Sequence, residues 1–132
     1  MSYTIKEVAE KTNISAYVLR YYEKEGVLPR IDRSQGGSRR YTDEDLDLLG
    51  LITCLKNTGM PLKDIRTFVQ LREKGPETLR QRRDILKAQQ QTVLEQLGEM
   101  QKNYEKVTKK LAYYDGLLAE GETEGPKENR LP

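Results

Sequence analysis

Arginine, lysine and tyrosine side chains that can contact phosphates and base edges share one short stretch of this chain. Tyr17, Arg20, Tyr21 and Lys24 recur three or four residues apart, so on a helix they fall on one arc. Arginine forms paired hydrogen bonds with guanine or a phosphate, and tyrosine donates to phosphate at little entropic cost. The pattern favours a nucleic-acid contact surface, and an ordinary solvated helix face is the simpler alternative.

Two short helices joined by a tight turn would position this arc. Thr4 and Glu7 form a capping-box pattern that begins the first helix, and Ser15 is a suitable N-cap for a second helix that runs to Glu25. Gly26 follows, where glycine commonly ends a helix. The pair predicts a helix-turn-helix.

A turn-rich segment comes next and predicts a small β-wing. Residues 28–31 and 39–41 read as two short extended runs, and Gly36 and Gly37 lie in the turn-rich stretch between them. The second run carries Arg39 and Arg40, which we expect to approach a nucleic-acid backbone, with the two glycines permitting close contact.

Two further helices complete the predicted head. Thr42 caps the third helix, and acidic residues in its first turn favour the positive end of the helix dipole. Pro61 opens the fourth helix, which stops before Gly75. Lys63 lies near the start of that helix and could add a phosphate contact. The predicted buried faces are Leu48, Leu51, Ile52 and Leu55 on the third helix, and Leu62, Ile65, Phe68 and Val69 on the fourth.

A long helical pattern then runs from about residue 77 to residue 119, with apolar residues at heptad spacing. At 1.5 Å per residue it would extend roughly 60 Å. A seam this narrow on a helix this long cannot be buried without a partner, so we expect a coiled-coil dimer. The predicted seam consists of Leu79, Leu86, Val93, Leu97, Met100, Tyr104, Val107, Leu111, Tyr114 and Leu118. The predicted domains are a head at 1–75, a dimerisation helix at 76–119 and a disordered tail at 120–132.

Composition excludes several classes of protein. The chain has no histidine and one cysteine, which removes histidine-based acid–base catalysis, an internal disulfide and the common transition-metal sites within one chain. We therefore expect neither an enzyme nor a cofactor. A net charge of +2 argues against a diffusely basic binder. No run approaches the ~18 apolar residues of a membrane span, and a reducing cytoplasmic location is expected.

Four segments together resemble the mercury-resistance-regulator (MerR) family. The stretch LRYYEKEGVLP at 19–29, followed by GSRRY at 37–41, is closely similar to that family, as are YTIKEVA at 3–9 and GMPLKDI at 59–65. The resemblance covers residues 1–75 densely. It implies a mainly α protein with a winged helix-turn-helix head and an antiparallel coiled-coil dimer. The predicted DNA contacts are Ser15, Tyr17, Arg20, Tyr21, Lys24, Gly36, Gly37, Arg39, Arg40, Tyr41 and Lys63.

The resemblance also implies a mode of action. Members bind promoters whose −35 and −10 elements lie too far apart, and they bend and untwist that DNA so that RNA polymerase meets both elements. The expected partners are therefore double-stranded promoter DNA, a second copy of the chain and RNA polymerase at the same promoter. Such a protein would be associated with the bacterial nucleoid.

Cys54 is the remaining candidate for a sensor. The chain resembles a family subgroup that has a lone cysteine at this place and responds to reactive aldehydes or other electrophiles. A cation such as Lys56, Lys63 or Arg39 would favour the reactive thiolate. On this hypothesis, alkylation or oxidation of Cys54 changes the angle between head and arm. A small buried hydrophobic role is the alternative for a lone helical cysteine.

Two other classes of protein stay open from the sequence. A coiled-coil adaptor would explain residues 77–119 but not the Arg/Tyr arc or the glycines of the wing. An architectural DNA-bending protein, similar to an excision factor with a winged head, would bend DNA without raising transcription. Salt-dependent binding to promoter DNA and a transcription assay separate these alternatives.

Overall fold

The computed structural model describes residues 1–121, and these form a mainly helical protein. The elements in chain order are β1 (Ser2–Tyr3), α1 (Ile5–Thr12), α2 (Ala16–Lys24), β2 (Tyr41–Thr42), α3 (Asp43–Asn57), α4 (Leu62–Lys74) and α5 (Leu79–Glu120). A winged helix-turn-helix head followed by one long helix is confirmed. Apart from Glu120, which ends α5, and Gly121, the predicted tail lies outside the described residues.

The chain divides into two compact units, Met1–Thr92 and the part from Val93 onward. The first unit contains the head together with the first turns of α5. The predicted domain limits at residues 75 and 119 stay a prediction, because compactness within one chain does not test which segment serves which role.

Local hydrogen bonds begin the helices where the sequence predicts. The Glu7 N–H donates to Thr4 Oγ1 at 3.1 Å, and the Thr4 N–H donates to Glu7 Oε1 at 2.8 Å, which is a complete capping box. Thr42 and Asp45 form a second one at the start of α3. Asn13, with φ of 60°, turns the chain between α1 and α2.

The core of the first unit joins all four head helices and the segment after α2. Its fully buried members include Val8, Leu19, Ile52 and Ile65, each 0% exposed. The predicted faces of α3 and α4 are buried apart from Leu51 and Leu62, which are half-buried. Interlocking apolar faces of this kind supply most of the stability of short helices, which are marginal alone.

The strand pattern differs from the prediction. Residues 28–31 do not form a strand, because the N–H groups of Leu28 and Ile31 donate to the Tyr22 carbonyl and the Glu23 carboxylate of α2 and not to another strand. β2 instead pairs antiparallel with β1, with Tyr3 opposite Tyr41. The wing is a narrower hairpin that contains one isolated bridge, between Arg33 and Arg39.

A compact joint connects α4 to α5. Gly75 ends α4 with φ of 108°, and a 3₁₀ turn at Pro76–Thr78 follows. Thr78 is 4% exposed, and its hydroxyl lies 2.6 Å from the Leu71 carbonyl and 2.9 Å from the Gly75 carbonyl. Arg82 Nε donates to the Thr78 hydroxyl oxygen at 3.0 Å. The helix predicted from about residue 77 therefore begins at Leu79.

Candidate DNA interface

Helix α2 has one face fixed in the core and one face open to solvent. Ser15 caps it by accepting from the Val18 N–H at 3.1 Å. Leu19 and Tyr22 are 0% and 4% exposed and anchor the inner face. On the outer face lie the four predicted contact residues, all exposed: Tyr17, Arg20, Tyr21 and Lys24. The exposed face thus presents two cations and two phenols on a rigid helix, while Ser15 is engaged as the cap.

The wing hairpin is closed by backbone hydrogen bonds. The Ser34 N–H donates to the Ser38 carbonyl at 2.7 Å, and the Arg40 N–H donates to the Asp32 carbonyl at 2.8 Å. Gly37 has φ of 85° at the tip, a backbone conformation that side chains disfavour. Gly36 and Gly37 are both exposed there, so the backbone of the tip can approach a ligand closely.

The two wing arginines of the predicted site are each held within the fold. Arg39 Nε donates to Glu23 Oε1 at 2.7 Å, and Arg40 Nη2 donates to Ser2 Oγ at 2.8 Å. Both arginines are half-buried. Their guanidinium groups therefore lie at the base of the wing with a fixed direction.

Glu23, which the sequence did not single out, lies at the centre of the contacts between α2 and the wing. It accepts from Arg39 and from the Ile31 N–H at 3.1 Å, and Arg33 Nη2 lies 3.7 Å away. Burial alone would raise the pKa of Glu23, but the hydrogen bonds from Arg39 and Ile31 and the charges of both arginines outweigh it, so the pKa lies below its usual value. The sequence signal was its place four residues after Leu19 on the inner side of α2, where a carboxylate requires a partner.

The prediction that Tyr41 contacts DNA is wrong. Tyr41 is 0% exposed, and burial raises the pKa of its phenol. Alternation along β2 turns Tyr41 inward and leaves its neighbour Thr42 exposed. Tyr41 belongs to the core, and its hydroxyl finds no hydrogen-bond partner among the described residues.

A basic cleft of about 740 Å³ opens beside α2, between the base of the wing and α4. The cations that line it are Arg20, Lys24, Arg30, Arg33, Arg39 and Lys74, and its carboxylates are Glu23 and Glu73. Leu28, Pro29 and Val69 supply apolar surface. Arg30, Arg33 and Lys74 were outside the predicted site, and the cleft brings them next to α2. Lys63 is exposed on α4 but does not line this cleft.

Cys54 lies on the outer side of α3 and is exposed, which excludes the alternative of a small buried hydrophobic residue. Two of the three cations proposed to activate it have other partners: Lys56 Nζ lies 5.7 Å from the centre of the Tyr22 ring, and Arg39 binds Glu23. The Thr58 hydroxyl donates to the Cys54 carbonyl at 2.8 Å. Gln89 Nε2 of α5 donates to that same hydroxyl oxygen at 2.7 Å.

A helix-turn-helix with an exposed basic arc and an attached wing defines a winged helix-turn-helix DNA-binding protein. The family model of MerR HTH regulatory proteins matches residues 3–71, and the model of the MerR DNA-binding region matches residues 46–109. The chain belongs to the MerR family of DNA-binding transcription regulators. Within the first 121 residues, no helix combines the length and apolar character needed to cross a membrane.

Several relatives are similar over most of their length. An uncharacterised HTH-type transcriptional regulator of Haemophilus influenzae is 41% identical over all of this chain and 98% of its own length. The crystal structure of HiNmlR, a MerR family regulator lacking the sensor domain and bound to promoter DNA, is 43% identical with a TM-score of 0.84. The matched region covers 92% of this chain and 97% of the HiNmlR chain. A MerR family regulator from Bacillus thuringiensis, 37% identical, has a TM-score of 0.80 over 86% of this chain and 100% of its own. These relatives are transcription regulators and not enzymes.

Proposed function

We propose that this protein is a homodimeric promoter-binding regulator that activates transcription by distorting promoter DNA with an over-long spacer. The exposed arc of α2, which places Arg20 and Lys24 beside the basic cleft, is the observation that carries this proposal. HiNmlR, bound to promoter DNA, supports it through 43% identity and near-complete coverage. The predicted contacts at Ser15, Tyr17, Tyr21, Gly36, Gly37, Arg39, Arg40 and Lys63 remain part of the proposal.

The homodimer is proposed from the surface of α5. Leu97, Met100, Tyr104, Val107 and Leu111 are 58–68% exposed, although they repeat at heptad spacing along one side of the helix. Along the whole of α5 no residue is buried. An apolar stripe of this length in water favours association, and a second copy offers an identical stripe.

Two heads joined through paired α5 helices would read two half-sites of a dyad. The distance between the heads would then be set by the protein, and DNA that does not match it must bend or untwist to be bound by both. We propose that the activating state enforces this distortion, which brings the two promoter elements into register for RNA polymerase. The energy of distortion would come from the phosphate and base contacts of both heads together.

Cys54 is proposed as the sensor of a reactive aldehyde or oxidant. Its exposure makes the thiol accessible to a small electrophile. Thr58 and Gln89 connect the backbone of its helical turn to the first part of α5 by hydrogen bonds of 2.8 and 2.7 Å. Modification of the thiol would disturb this turn and thereby the attachment of α5 to α3.

Run-off transcription from the protein's own upstream promoter tests the proposal. The assay compares wild type with Cys54→Ser, each with and without a small aldehyde. Activation by aldehyde in the wild type alone supports a thiol-switched activator. Equal activation in both proteins would support the role as a transcription activator and would show that Cys54 is not the sensor. Tight DNA binding with no change in transcription would contradict activation and favour the architectural DNA-bending alternative.

A further inference from the structure

We infer that Glu23 is a positioning residue for the DNA interface, because its carboxylate fastens both legs of the wing to the recognition helix α2. The inference rests on the proposed use of α2 and the wing to bind DNA. It concerns a residue that carries a negative charge and need not touch DNA itself.

The geometry of Glu23 is that of a clamp. One carboxylate oxygen accepts from Arg39 at 2.7 Å, and the other accepts from the Ile31 N–H at 3.1 Å and lies 3.7 Å from Arg33 Nη2. Arg33 and Arg39 face each other across the isolated bridge of the wing, so they represent its two legs. The Glu23 side chain is only 10% exposed, which keeps water from competing for these bonds.

Without a positioning role, the negative charge of Glu23 would only oppose DNA binding at the basic cleft. It lies in the basic cleft beside Arg20 and Lys24, where a DNA phosphate would be attracted, and an anion there weakens that attraction. The hairpin bonds of the wing close it upon itself but do not tie it to α2. Buried Ile31 fixes the start of the wing. Glu23 holds the leg before the wing tip through Arg33 and the leg after it through Arg39.

The two possible roles of Glu23 make opposite predictions for its neutral variant. If Glu23 were only a nearby negative charge, Glu23→Gln would tighten DNA binding. If it positions the wing, the variant should bind the upstream promoter about 10-fold more weakly, since each lost charge-assisted hydrogen bond removes about that factor. Glu25→Gln is the matched control, because it removes the same charge from the end of α2 while its carboxylate pairs with Arg66 of α4, at 3.7 Å.

Affinity and wing position are measured together. Fluorescence anisotropy gives the affinity for promoter DNA. For position, Gln35→Cys at the exposed wing tip, in a Cys54→Ser background, carries an iron–EDTA group that cleaves nearby DNA. We expect the DNA to be cut at a narrow set of positions by the labelled protein with wild-type Glu23 and by its Glu25→Gln variant. The Glu23→Gln variant should cut over a broader set of positions. Equal or tighter binding by Glu23→Gln with equally narrow cleavage would overturn the inference.

A measurement on the free protein separates this inference from the proposed function. Trypsin should cut after Arg39 or Arg40 several-fold faster in Glu23→Gln than in wild type or Glu25→Gln, with thermal melting used to show that the variants remain folded. An unchanged cleavage rate would refute the clamp. Failure of the wild type to bind promoter DNA, with faster trypsin cleavage in Glu23→Gln, would refute the proposed function and keep the clamp.

Discussion

Charged side chains around α2 divide into those bound within the fold and those that face outward. Arg39 and Arg33 are directed toward Glu23, whereas Arg20 and Lys24 are exposed at the mouth of the cleft. An arginine with an internal partner has one orientation, and its exchange disturbs the protein itself. An exposed arginine can reorganise toward a base edge or a phosphate, so its exchange mainly changes binding.

At the residue scale, Arg20→Ala should weaken operator binding by about 1–3 kcal/mol and relax sequence preference, because a paired contact to a base edge is lost. Binding to operator and to scrambled DNA is measured across a range of salt concentrations. Arg80→Ala, an exposed arginine in the first turn of α5, serves as the control. If sequence preference is unchanged and only the salt slope falls, Arg20 contacts a phosphate.

A second prediction at this scale concerns the pH dependence of Glu23. The fold lowers the pKa of Glu23, so its ionised form stabilises the protein at pH values above the ordinary carboxyl value of about 4.3. That contribution is lost as the pH falls through the lower pKa of the folded state. Glu23→Gln should therefore cost about 1–3 kcal/mol at pH 7 and less near pH 3, measured by urea unfolding. A cost independent of pH would show that the charge of Glu23 contributes nothing to stability.

At the scale of elements, hydrogen bonds at the helix ends determine how consecutive helices are joined. The capping boxes at Thr4 and Thr42 satisfy backbone groups within four residues of sequence. The joint between α4 and α5 is different, because the Thr78 hydroxyl serves Leu71, Gly75 and Arg82 from a buried position. Together with the bonds that the Thr78 N–H and Arg82 Nη2 donate to the Gly75 carbonyl, this hydroxyl bridges the break in the helical backbone ladder at Gly75 and Pro76.

We expect Thr78→Val to destabilise the protein by about 1–3 kcal/mol, because the Leu71 carbonyl loses this donor and Arg82 loses one of its two acceptors at the joint. Chemical unfolding measures the change. Thr67→Val on α4 is the control, since the Thr67 hydroxyl only donates to the Lys63 carbonyl on an exposed surface, at 3.2 Å. An effect no larger than that of Thr67→Val would mean that water replaces the Thr78 hydroxyl at the joint.

At the scale of the whole molecule, an unburied apolar stripe on α5 points to a second copy of the chain. The stripe consists of residues of the predicted seam, among them Leu97, Met100 and Val107, which are 61%, 67% and 68% exposed. Apolar side chains this exposed gain free energy when a partner helix removes them from water. The proposed recognition of a dyad also requires two heads, so dimer formation and promoter binding are expected to fail together.

Leu97→Asp or Leu111→Asp should therefore dissociate the dimer, because a carboxylate in the seam would be buried without a partner. Sedimentation velocity measures the mass of the particle, and promoter binding is expected to weaken with it. Thr108→Asp places the same side chain at an exposed position outside the seam and should leave the mass unchanged. An intact dimer in both leucine variants would mean that the seam is misassigned.

The sequence by itself determined the helices, their caps and the basic arc of α2, because these depend on residues three to seven positions apart. The heptad pattern of α5 follows from the same local periodicity. Only the tertiary structure decided that Tyr41 is buried, that Glu23 binds Arg39 sixteen residues away, and that Gln89 reaches Thr58 across thirty-one residues. Such contacts depend on how α2, the wing and α5 pack in three dimensions. No spacing rule along the chain encodes them, since the packing of the core sets the distances between residues far apart in sequence.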